Sequence, residues 1–263
     1  MSLYRDKFGL ITQTDNDGGD SANRHGSFVF LSYLLDDRVS GIMEHSKLRN
    51  YIVESEQYVR HPDKTKWYSN PNNFSRDQQT PLVLACGAAQ DRYALKHLFA
   101  QHIKRFGFYQ NTHDSNGKRK IPDIMSPEHL GYYIRSAWQC RIHWALALYP
   151  LLLLGDLFML LGIVLTNLKA DKDMDYCDDI NGQLALMQAN ISLPTPITLL
   201  CNKLFKTRRV TYAAILAGSC TPEVEAMRPL SGTESSSAWY FRPEANAPDM
   251  APLYIKALRK LKL

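Results

Sequence analysis

Metal and disulfide signatures are missing from this chain. Its five cysteines, Cys86, Cys140, Cys177, Cys201 and Cys220, are widely spaced and odd in number. No CxxC pair exists, so neither a zinc ribbon nor a disulfide framework is indicated. Most of the cysteines sit among apolar residues and read as small core side chains. His25, His61, His113 and His143 show no HExxH or comparable ligand spacing. A Gly-rich phosphate loop, a GxSxG elbow and a catalytic-cysteine signature are equally lacking. The first ten residues carry Arg5, Asp6 and Lys7 and no apolar block, so they do not read as a signal peptide. Synthesis in a reducing, cytoplasmic compartment is expected, with release or incorporation into an assembly left open. No internal repeat is exact, and no stretch alternates convincingly as a strand.

What is present is globular in character. The 263 residues are 45% hydrophobic and 22% charged, enough to bury a substantial core. The formal net charge of +5 is spread along the chain. Its tight basic clusters, Lys118-Arg119-Lys120 and Arg259-Lys260 with Lys262, read as solvated surface. No recognised motif accompanies them, and no nucleic-acid partner is expected.

The hydrophobic pattern predicts successive helices. Residues 22–35 follow a plausible cap at Asp20 or Ser21. Residues 47–59 are more amphipathic, with Leu48, Tyr51 and Ile52 on one face. The apolar helix entered near Pro81 places that proline in its first turn. Residues 93–106 interleave charged and apolar positions, as an outer helix does. Ser126-Pro127-Glu128 opens another helix, with Ser at the cap and Pro at the first position. Further helices are read over 180–189, 197–206 (Thr195 as cap), 210–217 and the basic segment 253–263. The chain divides into a helical domain, 1–217, and a Pro/Ser-rich tail, 218–263, packed on the same domain. Residues 112–123 read as a polar surface loop.

Residues 144–165 are the most apolar stretch and long enough to cross a membrane. Asp156 near the centre, Pro150 and the absence of a second span favour a core helix pair enclosed by other helices.

Acidic or Arg/Asp-bearing loops precede three apolar helices. Asp15–Arg24 leads into Phe28-Val29-Phe30-Leu31, Asn70–Gln78 into Leu82-Val83-Leu84, and Asp171–Asn181 into Leu184-Ala185-Leu186-Met187. An EF-hand fails at the first of these: Asp20 stands where Gly is needed, and no Glu closes the loop. In the third, Asp171, Asp173 and Asp175 alternate as calcium ligands do, but Tyr176 stands where Gly belongs. A divalent cation there is the alternative to an expectation of no cofactor. Each acid also has a structural reading, as a helix cap or as half of a fixed ion pair.

Alternating apolar and amphipathic helices with acid-bearing loops over residues 15–215 make the chain similar to the (α/α)-toroid glycoside hydrolases and polysaccharide lyases. That resemblance implies an all-α fold of inner apolar and outer amphipathic helices in a partial toroid, with an irregular C-terminal tail. Inner-helix starts would then share one face. Sugar hydrolysis needs one carboxylic acid to protonate the leaving oxygen and a second carboxylate to activate water or attack carbon. Asp77 is the expected acid, and Asp178 or Asp179 the base. Asp20, Arg24 and Arg76 would position a glycan, the arginines gripping any uronate, and Trp67, Tyr68 and Trp239 would stack on sugar rings. A lyase variant would use His25 or Tyr68 as base. The competing expectation is a non-catalytic structural or interaction protein, docking partners through its C-terminal tail as a component of a larger assembly such as a virion. A membrane-attached protein using residues 144–165 is a third.

Overall fold

A computed structural model describes residues 4–11, 21–53, 61–63, 73–113, 118–168, 176–204 and 251–261. These are mostly helical with little strand, so the all-α expectation holds. In order they form α1 (Ser21–Leu34), α2 (Arg38–Val53), α3 (Arg76–Ala88), α4 (Arg92–Lys104), α5 (Pro127–Gln139), a 3-10 turn (His143–Leu148), α6 (Tyr149–Leu168), α7 (Tyr176–Ile191), α8 (Pro196–Leu204) and α9 (Ala251–Lys260). Two-residue strands β1 (Asn73–Phe74) and β2 (Gln110–Asn111) pair antiparallel. The latter lies at the edge of the expected loop, too short for strand alternation to register.

Three helices lie side by side and run the same way. The Asn23 N–H donates to Gln78 Oε1 at 3.3 Å, and a Cβ on Gly26 would stand 3.0 Å from Pro81. Those contacts advance together along α1 and α3, which makes the pair parallel. Likewise Ser136 Oγ donates to the Val83 carbonyl at 2.9 Å, and Cys140 Sγ to the Cys86 carbonyl, so α5 runs parallel to α3. Small residues permit this: Gly87 faces Ser136 and Gln139 so closely that a Cβ would meet Gln139 Oε1 at 2.5 Å.

The helices that follow α1 and α5 return in the opposite sense. His25 stands against Glu44, and Tyr33 against Gly41, along α1 and α2. Gly131 faces Leu152, and Gly155 faces Pro127, along α5 and α6. Burial follows the same alternation. Phe30, Leu31, Leu84, Ala85 and Ile134 are closed from solvent on the parallel helices, whereas Val39, Ile42 and Met43 on α2 and Tyr93 and Ile103 on α4 are exposed. On α9, Ala257 is buried in the core that includes Val29, Leu31 and Leu84. The expected helix at 210–217, with all of 205–250, lies outside the described residues.

Several boundaries differ from the sequence reading. The second helix starts at Arg38, not Lys47: Asp37 Oδ1 accepts the Ser40 N–H at 3.1 Å and closes a first turn that periodicity does not reveal. Pro81 lies inside α3 rather than in its first turn. Pro150 does divide the apolar stretch, falling at the second position of α6. That stretch is not enclosed, however. His143–Leu161 is long and apolar enough to cross a membrane, and only 28% of it is buried. One face of α6, with Leu152, Asp156 and Met159, turns inward, while Leu151, Leu154, Leu157, Phe158 and Leu161 are exposed.

Asp156 explains why the inward face is fixed. Arg135, fully buried on α5, reaches it in bidentate fashion, Nη1 to Oδ1 at 2.9 Å and Nη2 to Oδ2 at 2.7 Å. Thr195 Oγ1 adds a third donor at 2.6 Å. The same hydroxyl accepts the Thr198 N–H and so caps α8, as its sequence predicts. One carboxylate therefore ties α5, α6 and the start of α8 together. Removing either charged partner leaves an uncompensated buried ion, while replacing both by apolar groups does not. Asp156→Ala is expected to lower unfolding free energy by about 3–5 kcal/mol, and Arg135→Met with Asp156→Leu to recover most of it. Urea denaturation measures both, and equal losses in the single and double variants would refute this role.

Candidate functional site

Parallel α1, α3 and α5 bring their starts to one end of the molecule. Arg24 lies in the first turn of α1, buried. Arg76 and Asp77 are the first two residues of α3. Pro127 and Glu128 are the first two of α5. Ser75 and Ser126 occupy the cap positions but make no side-chain capping bond. Across the α3–α5 seam, the Arg76 guanidinium stands 4.0 Å from the Glu128 carboxylate, both partly exposed. Asp77 thus follows a residue whose side chain reaches the equivalent acid on the neighbouring helix. Its own side chain lies outside the described residues.

Beneath this pair lies a buried polar and aromatic layer. His129 Nδ1 meets the Tyr109 hydroxyl at 2.8 Å and Ser126 Oγ at 3.3 Å. Burial, and next the charge of Arg76, hold His129 well below the ordinary imidazole value. The ring is therefore neutral, Tyr109 donates to Nδ1, and Nε2–H faces Glu128 Oε1 at 3.7 Å. His102 Nε2–H donates to Gln79 Oε1 at 2.8 Å, one turn below Arg76. Tyr109 and Tyr133 meet the His102 ring edge-on. Burial also lifts the Tyr132 phenol well above its usual value. A line of polar groups thus runs from Tyr109 through His129 and Glu128 to Arg76 at the surface.

His25 is committed elsewhere. It is fully buried, its Nδ1 accepts the Ile11 N–H at 3.0 Å, and its Nε2–H donates to the Glu44 carbonyl at 3.1 Å. Both nitrogens staple the N-terminal segment to α1 and α2, which removes His25 as a base. Glu44 is penalised by burial, but hydrogen bonds from Arg5 and Lys47 outweigh this and keep it ionised. Asp91 is a structural cap, accepting the Ala94 N–H at 3.0 Å.

Of the residues the sequence selects, Arg24, Arg76 and Asp77 come to this common end. Asp178 and Asp179 lie in the first turn of α7, where side chains are outside the described residues. Asp20, Trp67, Tyr68, Trp239 and the cation candidates Asp171, Asp173 and Asp175 also lie outside them. Among the described residues, no group of three or more His, Cys, Asp or Glu is arranged to hold a metal ion. The sequence reading missed Glu128, His129 and Tyr109. A signal for Glu128 existed: Ser75-Arg76-Asp77 and Ser126-Pro127-Glu128 both set an acid two places after a cap-position Ser. No protein-family model, curated protein or solved structure matches the chain.

The buried imidazoles fix the sign of the pH response. Burial lowers His25 and His102 to about 4, and holds His129 well below its ordinary value. The unfolded chain protonates these groups near pH 6.5, the folded chain only well below that. Their stabilisation is complete above about pH 6.5 and is lost as pH falls toward 4. Asp91, lowered to about 2 chiefly by its hydrogen bond to His45, contributes stability lost only at more acid pH. Unfolding at about pH 5.5 should take up roughly three protons, and about one fewer in His102→Gln. Calorimetry in buffers of different ionisation enthalpy measures the uptake, and none detected would contradict the buried neutral assignments.

Proposed function

We propose that the chain is a carbohydrate-active hydrolase acting at the shared starts of α1, α3 and α5. The observation that carries this reading is the Arg76–Glu128 approach across the α3–α5 seam, with Asp77 beside Arg76. Two carboxylates on neighbouring helix starts are what glycoside hydrolysis requires, one as proton donor and one as base or nucleophile. Asp77 takes the acid role. Glu128 is the second carboxylate, in place of Asp178 or Asp179, because it opens α5 directly across the seam from the start of α3. Neutral His129 supports Glu128 from below without competing for its charge. Arg24 and Arg76 make an acidic glycan the favoured substrate, since guanidinium pairs uronates through two bonds. In this reading the inner and outer alternation of α1–α6 forms the wall of a partial (α/α) toroid. A second reading, a non-catalytic component of an assembly, draws on the exposed apolar face of α6.

A panel of neutral and acidic polysaccharides, read by reducing ends and by absorbance of unsaturated products, tests the proposal. Turnover is expected to release reducing ends without the absorbance that marks elimination. Asp77→Asn and Glu128→Gln should each lower kcat by roughly 10²–10⁴-fold with the helical signal unchanged. Unaltered activity in Glu128→Gln, or loss confined to Asp178→Asn or Asp179→Asn, would reassign the second carboxylate. A chain inert across the panel would leave the non-catalytic reading.

A further inference from the structure

The turn that ends α4 and the arm that follows it carry apolar and cationic side chains together on the surface. Phe106 and Gly107 form the turn, and the Met125 N–H closes on the Gly107 carbonyl at 2.8 Å. Residues 108–113 then run antiparallel to 119–124. The bridges Phe108–Ile124 and His113–Arg119 join them, and the Lys120 N–H donates to the Thr112 carbonyl at 2.8 Å. Tyr109 is buried, whereas its neighbour Phe108 and the bridge partner Ile124 are exposed. Phe106 is 89% exposed and Ile121 85%. Ile103, whose carbonyl accepts the Phe106 N–H at 3.1 Å, is exposed as well. Cations adjoin these groups in both arms, as Ile103-Lys104-Arg105-Phe106 and as Lys118-Arg119-Lys120-Ile121. Lys104, Lys118, Arg119 and Lys120 are all exposed.

We propose that this surface docks on a bilayer rich in anionic lipid, the apolar side chains entering the headgroup region and the cations meeting its negative charge. Charge complementarity is the first argument. From Ile103 to Ile124 the chain carries five Lys or Arg against two Asp. One of those acids, Asp123, is already engaged by the Asn111 side chain. Lysines and arginines close to an anionic leaflet are drawn to it, an attraction that salt screens. Phe106 is the second argument. Its φ of 54° lies in the left-handed region, which is unfavourable for a bulky residue. The ring is too exposed to repay that cost by packing in the core. The kind of apolar group is the third. Three of the five are isoleucines, which suit the acyl boundary but offer no π face on which a nucleic-acid base could stack. A second copy of the same face would set cation against cation. Side chains as exposed as Phe106 and Ile121 project rather than line a groove, and a lipid surface accepts projecting groups without a shape-matched partner.

Flotation of the full chain with lipid vesicles tests the proposal. The wild type is expected to float with phosphatidylcholine/phosphatidylglycerol vesicles, to stay behind with phosphatidylcholine alone, and to be released by salt. Phe106→Asn keeps the turn, because Asn tolerates the left-handed region, and should weaken partitioning about tenfold with the helical signal unchanged. Ile121→Ser should act in the same direction. Lys104→Gln and Arg119→Gln should each weaken it about fivefold. Leu154→Glu, on the outward face of α6, should float as the wild type does. No flotation, equal flotation with neutral vesicles, or flotation that survives Phe106→Asn and Ile121→Ser overturns the proposal. So does loss of flotation in a folded Leu154→Glu, which would assign the lipid contact to α6. An oligonucleotide mobility shift abolished by Arg119→Gln, in a chain that does not float, would overturn it in favour of nucleic acid.

Discussion

The close, same-sense packing of α3 between α1 and α5 is the constraint on which the rest depends. Parallel helices with neighbouring starts place three helix N-termini at one end. Their backbone N–H groups and dipoles make that end favourable for negative charge. Close approach requires residues without bulk at the seams. Gly26 meets Pro81, and Gly87 meets Ser136 and Gln139. Where backbones come this near, side-chain hydroxyls can reach across to carbonyls, as Ser136 does to Val83. That seam is bound further by Gln188 of α7, whose amide donates to Ser136 Oγ and Gln139 Oε1. The wall is thus a polar-pinned structure, not only a hydrophobic one.

Charges are used in two different ways in this fold. Arg135 and Asp156 are sealed from water and joined by two parallel hydrogen bonds, and Thr195 adds a third to the carboxylate, which fixes α6 and α8 on α5. Arg76 and Glu128 stand 4.0 Å apart and partly solvated, too far for a structural clamp. The neutral Tyr109–His129 layer then supplies a low-dielectric floor, in which nearby charges act more strongly than in water.

Much of the helical order was legible in the sequence because periodicity and caps are local signals. Pro127 at the first turn of α5, Thr195 before α8 and the Pro150 break all stand where their chemistry puts them. The start of α2 was not legible, since Arg38–Ser46 carries little periodicity and is held by Asp37 and by packing on α1. Residues 144–165 misled for a related reason: composition reports how apolar a helix is, not how many of its sides find partners. The placement of Arg24, Arg76 and Asp77 in the first turns of their helices was readable from the loops that precede them. His129 and Tyr109 were not, because their pairing joins α5 to a segment twenty residues away through tertiary contact alone.

The proposed chemistry requires Asp77 and Glu128 to face one solvent-filled space at the shared helix starts. A crystal structure giving their carboxyl separation tests it most directly. A gap between about 5 and 9.5 Å is expected, the span used by paired glycosidase carboxylates, with solvent between them. An Asp77 carboxylate turned back onto the first-turn N–H groups of α3, with no space shared with Glu128, would contradict it.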